Sequence, residues 1–556
     1  MASETIPTDR RIPTIGHHGG FFASRRGRIL KENLTAYLFL APGLIIIFLF
    51  GMFPILYAGY VSLYNWRIRQ GEYRGLQNFL TAMGDVGYIF FALIVLGLIA
   101  AGIMSVWGAR SKAVEKSIPL YFPFAYLLPA GLIAFGLIQL LLSFITFFTQ
   151  EQAIAAGHAA KLGNIPLGLA AIAVGYLVNV LIEQWQHRLY APTPYSILPS
   201  FNTPALTVLL TLGGAFLLAR FVWTHYTGLD PTTAATAAIR LRFLLQGLAA
   251  LVAAYFLWSW GMRQQSTLKL FVSIAGAAGL IGAGYYLIDV WPAISRGADP
   301  RFYLSLQVTV FYSVGTVPIQ LAIAMVLAYL LFQNIHGKGF FRVVFFIPYI
   351  APAVAAAGIF QALFSLRPNG FVNSFFTSGG QNPERALLWL KEPNSALAIL
   401  GQAFGIEAAS AWTFGPSLAL LVIILFNIWN FVGYNTVIFL AGLGNIPAAL
   451  YEAAEIDGAG RWALFRHITI PLLSPTTFFL SVISVIGTFK AFNHVWVLRD
   501  VASLGTTDTV SVYFFETFFR GARFGYATAM AMVLFVIILM LTLVQNRIAA
   551  RKVFYG

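Results

Sequence analysis

The sequence is 556 residues long, and 59% of its residues are hydrophobic while only 10% are charged. A soluble globular chain carries about 25% charged residues, so this composition excludes an ordinary water-soluble protein. The chain has no cysteine, which excludes disulfides, thiolate metal sites and cysteine nucleophiles. The net charge is +15, but Lys and Arg stand mostly in short connections between apolar segments, so we expect no nucleic-acid partner.

The chain begins with a polar, basic stretch, residues 1–33, that precedes the first apolar segment. A cleavable signal peptide has a short charged region and only about 7–15 apolar residues, whereas the apolar segment that follows here is much longer. We therefore expect a cytoplasmic tail followed by an uncleaved membrane helix. The pair His17 and His18 is a weak suggestion of a metal site, and we predict no bound metal.

Apolar segments long enough to cross a bilayer recur along the rest of the chain, since a membrane helix needs about 20 apolar residues. They lie near residues 34–64, 88–107, 119–148, 166–183, 204–222, 241–260, 269–290, 304–332, 343–364, 418–440, 473–496 and 526–545. Long unbroken runs favour helices over a barrel, whose strands would alternate over about 10 residues. The sequence therefore predicts an all-α polytopic membrane protein with about 12 transmembrane helices.

The charges of the connections indicate which side of the membrane each one faces, because cytoplasmic connections are enriched in Lys and Arg. With the N-terminus inside, the cytoplasmic set is Arg110, Lys112, Lys116, Arg263, Lys269, Lys338, Arg342, Arg461, Arg466, Arg547, Arg551 and Lys552. An even number of spans returns the C-terminus to the cytoplasm, although Arg67, Arg69 and Arg74 would then face outward. The long segment 119–148 contains two prolines, and this parity would fail if the segment broke into two spans.

The most informative stretch is the predicted cytoplasmic connection 441–471. Residues 452–457 place carboxylates and small alanines on a short helix, Gly458 allows a turn with unusual backbone angles, and a second helix begins near Trp462. A proline at position 471 then marks the entry to the next membrane helix. The residues that define this pattern are Glu452, Ala453, Ala454, Asp457, Gly458, Ile468 and Pro471.

This connection resembles the Glu-Ala-Ala loop of the inner-membrane permeases of binding-protein-dependent ABC importers. In that family Glu-Ala-Ala is followed after three residues by Gly and after nine more by Ile-x-Leu-Pro, and this chain departs only at Ile470, which stands for leucine. The resemblance implies a coupling helix that docks in a groove of an ATPase subunit and transmits its closure. The alternative is an ordinary amphipathic loop whose residues match by chance.

Further segments resemble the carbohydrate branch of that family, the maltose and glycerol-phosphate permease group. They are residues 62–66, 75–79, 337–348, 369–373, 524–527 and the basic tail after position 545. Between about residues 81 and 292 the resemblance stops, and roughly six extra spans intervene.

The resemblance divides the chain into four parts. The tail 1–33 is followed by a first core helix and external loop at 34–80, an inserted membrane-helical segment at 81–292, and the remaining type I ABC importer permease core at 293–556. This last part would hold five spans and the coupling loop 441–471. We expect the inserted segment to be a lipid-packed scaffold or a partner-docking annex, or to have a second transport or sensing role.

Polar side chains inside the predicted spans are candidates for a substrate pathway, because burying them in lipid is expensive. Asn427, Asn430 and Tyr434 recur at helical spacing on one face, and Asn493 lies toward the outer end of the next span. Sugars are bound by amide hydrogen bonds and aromatic stacking, so these side chains suit a sugar pathway. The alternative is that they form interhelical hydrogen bonds that only hold the helices together.

The resemblance implies a permease subunit of an ATP-driven importer for a sugar or related polyol, in the cell membrane with both termini cytoplasmic. It implies a second permease subunit, identical or related, two ATPase subunits, an extracytoplasmic substrate-binding protein and surrounding membrane lipid. The sequence lacks the Gly-rich phosphate loop of nucleotide hydrolases, so we predict no catalytic residues and no bound cofactor. ATP and Mg would be used by the partner ATPase.

Two other functions remain open at this point. An ion-driven secondary transporter would need a membrane-embedded carboxylate relay or broken helices in an inverted repeat, and the second half of the sequence contains few acids inside its apolar segments. The second alternative is a regulatory or assembly subunit that transports nothing. In that case, substitutions of the polar pathway residues would leave uptake of the substrate unaffected.

Overall fold

The computed structural model describes residues 25–149, 164–190, 198–263, 268–295, 297–333, 335–403 and 415–552. The first 24 residues of the predicted tail, with His17 and His18, lie outside this range. Regular structure in the described residues is helical, apart from two isolated antiparallel bridges, Tyr64 with Tyr73 and Ser395 with Ser417. The predicted all-α class is therefore confirmed.

The chain divides into two units, residues 1–60 and residues 61–556. The first unit contains α1 (Arg25–Ile46), a π-helical segment (Ile47–Met52) and most of α2 (Phe53–Ser62). These pieces form one apolar stretch, Thr35–Ser62, that is long enough to cross a membrane.

The second unit begins with a short helix and continues into the predicted inserted segment. Its first helices are α3 (Gln77–Met83), α4 (Val86–Glu115), α5 (Leu127–Thr149), α6 (Ile165–Tyr190), α7 (Asn202–Thr227), α8 (Pro231–Arg263) and α9 (Leu268–Ile294). Within this segment α4 packs on α7, α5 packs on α6 and α7, and α8 packs on α9. The segment is thus built from three helix pairs, α4 with α7, α5 with α6, and α8 with α9.

The rest of the second unit forms the predicted permease core. Its helices are α10 (Pro300–Phe332), α11 (Lys338–Ile350), α12 (Ala353–Leu363), α13 (Asn373–Phe376), α14 (Ala396–Ala403), α15 (Leu418–Gly444), α16 (Ala448–Ile456), α17 (Arg461–Leu464), α18 (Ile470–Leu472), α19 (Ser474–Phe489), α20 (Asn493–Leu498), α21 (Val510–Phe515) and α22 (Phe524–Lys552). The long helices α10 and α15 pack along each other, and α11 and α19 flank them. α15 lies at the centre of this core, with two thirds of its apolar stretch buried.

Nine helices among the described residues are long and apolar enough to cross a membrane, and two sharply bent helix pairs raise the number to eleven. The bent pairs are α11 with α12, at 96°, and residues 461–472 with α19, at 62°. The twelfth predicted span, 269–290, falls on α9. Each predicted span therefore falls on a helix, and the architecture agrees with the predicted polytopic fold.

Proline positions account for the bend between α11 and α12 and for the continuity of the segment 119–148. Pro352 ends α11, because the residue before a proline is disfavoured in helical conformation. In the segment 119–148, Pro123 lies in a short 3₁₀ turn and Pro129 in the first turn of α5, where a missing N–H is tolerated. The stretch Phe122–Phe147 is consequently one candidate span, so the break that would have changed the predicted parity does not occur.

The two ends of the predicted inserted segment lie beside each other. The backbone N–H of Asp299 donates to the carbonyl of Thr81 at 3.0 Å, and the Tyr303 hydroxyl donates to the carbonyl of Met83 at 2.7 Å. Asp299 also caps α10 by accepting from the N–H of Arg301. The chain therefore leaves the core and returns to it at one place.

Candidate functional site

The connection between α15 and α19 forms a compact helical loop. Glu452 and Ala453 are exposed on α16, and Ala454 is half-buried beside them. α16 ends at Asp457, where Gly458 adopts a left-handed conformation with φ of +83°. Such an ending is typical of helices that stop at glycine, because other residues are strained there.

This loop is tied to the membrane helices by specific contacts. The hydroxyl of Tyr451 lies 3.0 Å from that of Thr469, a buried residue at the start of the return to the membrane. From α10, the ring of Tyr329 contacts that of Phe465 at 4.7 Å, and its hydroxyl is 3.5 Å from the carbonyl of Arg461. The loop is thereby in direct contact with α10, which a lever between the loop and the membrane helices would require.

The two most exposed large apolar side chains of the loop lie on either side of its glycine turn. Ile456 is 86% exposed at the end of α16, and Trp462 is 69% exposed in α17, on the other side of the glycine turn. Exposed apolar patches of this kind mark docking surfaces. These two residues were not predicted from the sequence as docking residues. Large apolar residues on both sides of a glycine turn in a polar loop would have supported that prediction. Of the remaining predicted loop residues, Ile468 is half-buried and Pro471 is exposed.

A small polar cavity of about 120 Å³ lies between α10, α15, α19 and α20. Its lining residues are Gln320, Asn427, Phe431, Tyr434, Asn435, Ile483, Ser484, Gly487, Thr488 and His494. The Asn427 amide donates to Gln320 Oε1 at 3.4 Å, and the Tyr434 ring stacks on that of Tyr349 at 4.5 Å. Pockets for small-molecule ligands usually measure about 300–1,000 Å³, so the cavity in this conformation is too small for a sugar.

The predicted pathway residues divide between this cavity and its surroundings. Asn427 and Tyr434 line it, whereas Asn430 is buried outside it, with a side-chain oxygen that has no hydrogen-bond partner among the described residues. Asn493 is exposed, and its neighbour His494 faces the cavity instead and lies 2.7 Å from the hydroxyl of Tyr312. Gln320 and Thr488 also line the cavity but were not predicted from the sequence. They lie on separate helices, and no sequence pattern around either residue marks it as part of a pathway.

A second cavity, of about 660 Å³, is bordered by a charged cluster that joins the start of α10 to the connection between α20 and α22. Arg499 forms ion pairs with Asp508 at 3.2 Å and with Glu516 at 2.7 Å, and its guanidinium lies over the ring of Trp496 at 3.9 Å. Arg301 adds a pair with Glu516 at 3.2 Å. This cluster was not predicted from the sequence.

The two carboxyl groups of this cluster respond differently to their surroundings. Burial raises the pKa of Asp508, and the charge of Glu516 adds to this effect against the opposing charge of Arg499. Burial also acts to raise the pKa of Glu516, but the hydrogen bond and charge of Arg499, with the charges of Arg301 and Arg520, outweigh it and lower that pKa. Arg499 therefore stabilises mainly the ionised Glu516.

Comparison with known proteins identifies the family. The family described as "Binding-protein-dependent transport system inner membrane component" matches residues 310–553. The lactose transport system permease protein LacF of Rhizobium radiobacter is 33% identical over 251 residues, which are 44% of this chain and 76% of that protein. The chain belongs to this permease family. The match spans the helical loop and the small polar cavity, so both lie in the part of the chain that matches the family.

Other permeases are similar over the same share of the chain. The sn-glycerol-3-phosphate transport system permease protein UgpA of Agrobacterium fabrum is 31% identical over 265 residues, 47% of this chain and 79% of its own length. The arabinooligosaccharides transport system permease protein AraP of Bacillus subtilis is 28% identical over 253 residues, 45% of this chain and 72% of its own length. The predicted family is thus confirmed, and the chain is a multi-pass membrane protein of the permease class.

Among solved structures, a bacterial alginate ABC transporter, in complex with a pentasaccharide-bound periplasmic protein, contains a similar chain. That chain is 24% identical, with a TM-score of 0.38, and the similarity covers 47% of this chain and 82% of the other. A second structure of a bacterial alginate importer gives 22% identity and a TM-score of 0.39, over 50% and 94% of the two chains.

Proposed function

We propose that this permease moves a sugar or related polyol across the cell membrane as one subunit of an ATP-driven importer. Family membership supports the permease role, and relatives named for lactose, arabinooligosaccharides and sn-glycerol-3-phosphate support the substrate class. Substrate would arrive on an extracytoplasmic binding protein. A second permease subunit, identical or related, would complete the pathway, because the small polar cavity in this chain cannot hold a sugar.

We further propose that the helical loop couples ATP hydrolysis to transport. Its apolar residues Ile456 and Trp462 are exposed, while Tyr329, Tyr451 and Phe465 join it to the membrane helices. An ATPase subunit that binds the exposed side can therefore pull on α10 when two such subunits close around ATP and Mg. In this arrangement the loop and both termini face the cytoplasm, the ATPase subunits perform hydrolysis, and this chain binds no cofactor.

The test is co-purification of the full chain with candidate ATPase subunits, followed by measurement of substrate-stimulated ATP hydrolysis. Glu452→Ala, Gly458→Asp and Trp462→Ala should each lower ATPase retention or stimulated hydrolysis roughly tenfold, since a few interface residues carry most binding energy. Trp462 is exposed, so its truncation should leave the fold intact.

Glu384→Ala is the matched control, because Glu384 is also exposed but lies in the connection between α13 and α14, outside the helical loop. It should leave retention and stimulated hydrolysis at the wild-type level. Normal coupling in all three loop variants, or no ATPase association with the wild-type chain, would refute the proposed role of the loop.

A further inference from the structure

An apolar cavity of about 390 Å³ lies within the predicted inserted segment, to which nothing so far assigns a function. It is formed where the end of α4, the 3₁₀ turn before α5 and the start of α7 meet. Its lining residues are Val106, Ala109, Arg110, Leu120, Pro123, Phe124, Leu127, Phe201, Pro204, Ala205 and Val208. Arg110 is the one charged residue in this lining.

The walls of this cavity are held by buried contacts and do not form a loose gap between helices. The Tyr126 hydroxyl donates to the side chain of Gln186, which in turn donates to the carbonyl of Pro199 at 3.1 Å. Ser105 donates to the carbonyl of Pro204 at 3.2 Å and so joins α4 to α7. Phe201 is 1% exposed and packs against Tyr126. A cavity with fixed walls can bind a ligand without an ordering cost.

The lining of the cavity includes one positive charge, that of Arg110, and one exposed aromatic ring, that of Phe124. Arg110 has no acidic side chain within salt-bridge distance among the described residues, and Lys112 and Lys116 follow it. Tyr121 and Phe124, 68% and 67% exposed, lie on the segment that forms the opposite wall. Aromatic rings beside basic residues are typical of the boundary between lipid tails and headgroups.

We propose that this cavity binds an anionic phospholipid, with an acyl chain among the apolar walls and the phosphate on Arg110. The apolar interior accepts a hydrocarbon chain, and the charge of Arg110 selects a negative headgroup over a neutral one. All three pieces of wall lie at helix ends predicted to face the cytoplasm, the side on which basic pockets between membrane helices bind anionic headgroups. The inserted segment would then anchor the permease to a specific lipid.

The test is native mass spectrometry of the full chain, purified and exchanged into mixed micelles with equal amounts of phosphatidylglycerol and phosphatidylcholine. Wild type should retain phosphatidylglycerol with a preference of about fivefold, since one basic residue near an anionic headgroup contributes about that factor. Arg110→Gln should abolish the preference, and Arg110→Lys should keep it. Val208→Phe, which fills the cavity from a half-buried position, should reduce retention of both lipids.

Arg220→Gln is the control, because Arg220 is exposed on the same segment but at the opposite, predicted outer end of α7. It should leave both lipid retention and preference unchanged. Equal retention of the two lipids by wild type, or the same preference in wild type and Arg110→Gln, would overturn the proposal. Neither result depends on ATPase binding, so the lipid site and the importer function fail or succeed separately.

Discussion

At the scale of single residues, Arg499 determines how the charged cluster responds to acid. Its guanidinium is 16% exposed and pairs with Asp508 and Glu516, which are 15% and 19% exposed. A charge so buried must be compensated, because an unpaired ion at such a site is strongly destabilising. The opposite pKa shifts of the two carboxyl groups indicate that Glu516 is the better compensated of the two.

The first prediction concerns these two carboxyl groups. Because the pKa of Glu516 is lowered, the ionised carboxylate stabilises the fold at pH values above its ordinary pKa of 4.5. This stabilisation is lost as the pH falls through the lowered pKa. Glu516→Gln should therefore destabilise the protein at neutral pH, and its deficit should shrink in acid.

Asp508 provides the internal comparison. Its raised pKa contributes stability that is present below the ordinary value of 3.8 and is lost as the pH rises through the raised value. Asp508→Asn should consequently cost less than Glu516→Gln at neutral pH. Thermal unfolding of the detergent-solubilised variants between pH 3 and pH 8 would check both statements, and equal deficits at every pH would contradict them.

At the scale of elements, the position of α15 against α11 depends on a single missing side chain. A Cβ placed on Gly433 would lie only 1.7 Å from the carbonyl oxygen of Phe345. Without a hydrophobic driving force between helices in lipid, such close backbone approach is a main source of association. The same contact holds Tyr349 of α11 against Tyr434 of α15, and so shapes one wall of the small polar cavity.

The second prediction is that Gly433→Ala separates α11 from α15. The added methyl group meets rigid backbone, so we expect a loss of about 1–3 kcal/mol of unfolding free energy, as for other overpacked sites. Gly358→Ala is the control, because a Cβ at this helical glycine meets nothing within 4 Å. It should be neutral or stabilise by about 0.4–1 kcal/mol. Both unfolding free energies would be measured by denaturation in mixed micelles. If the two variants lost similar amounts, close contact between α11 and α15 at Gly433 would be contradicted.

At the scale of the whole molecule, the chain leaves the core for the predicted insertion and returns to the core at adjacent positions. Thr81 and Met83, at the beginning of the insertion, are hydrogen-bonded to Asp299 and Tyr303, at its end. Segments with adjacent ends can be inserted or removed with little disturbance of the host fold. The boundaries themselves stay a prediction.

The third prediction is that residues 85–296 can be replaced by a linker of about four Gly and Ser residues. An even number of spans is removed, so the remaining core keeps its topology, and the face that is uncovered, which includes the contact of Phe91 with Phe79, meets lipid instead of water. The shortened chain should insert in the membrane and retain ATPase subunits. Reporter fusions at the C-terminus and co-purification would check this, and an inverted or degraded product would contradict it.

The sequence by itself determined the helical class, the span positions and the family, because apolar length and the spacing of the loop motif are local properties. It could not determine which distant side chains meet. The small polar cavity joins Gln320, Asn427 and His494 from three helices, and it excludes Asn430, although the sequence placed that residue on the same helical face as Asn427. Contacts between side chains of different helices depend on how the helices cross and bend, and only tertiary packing decides this.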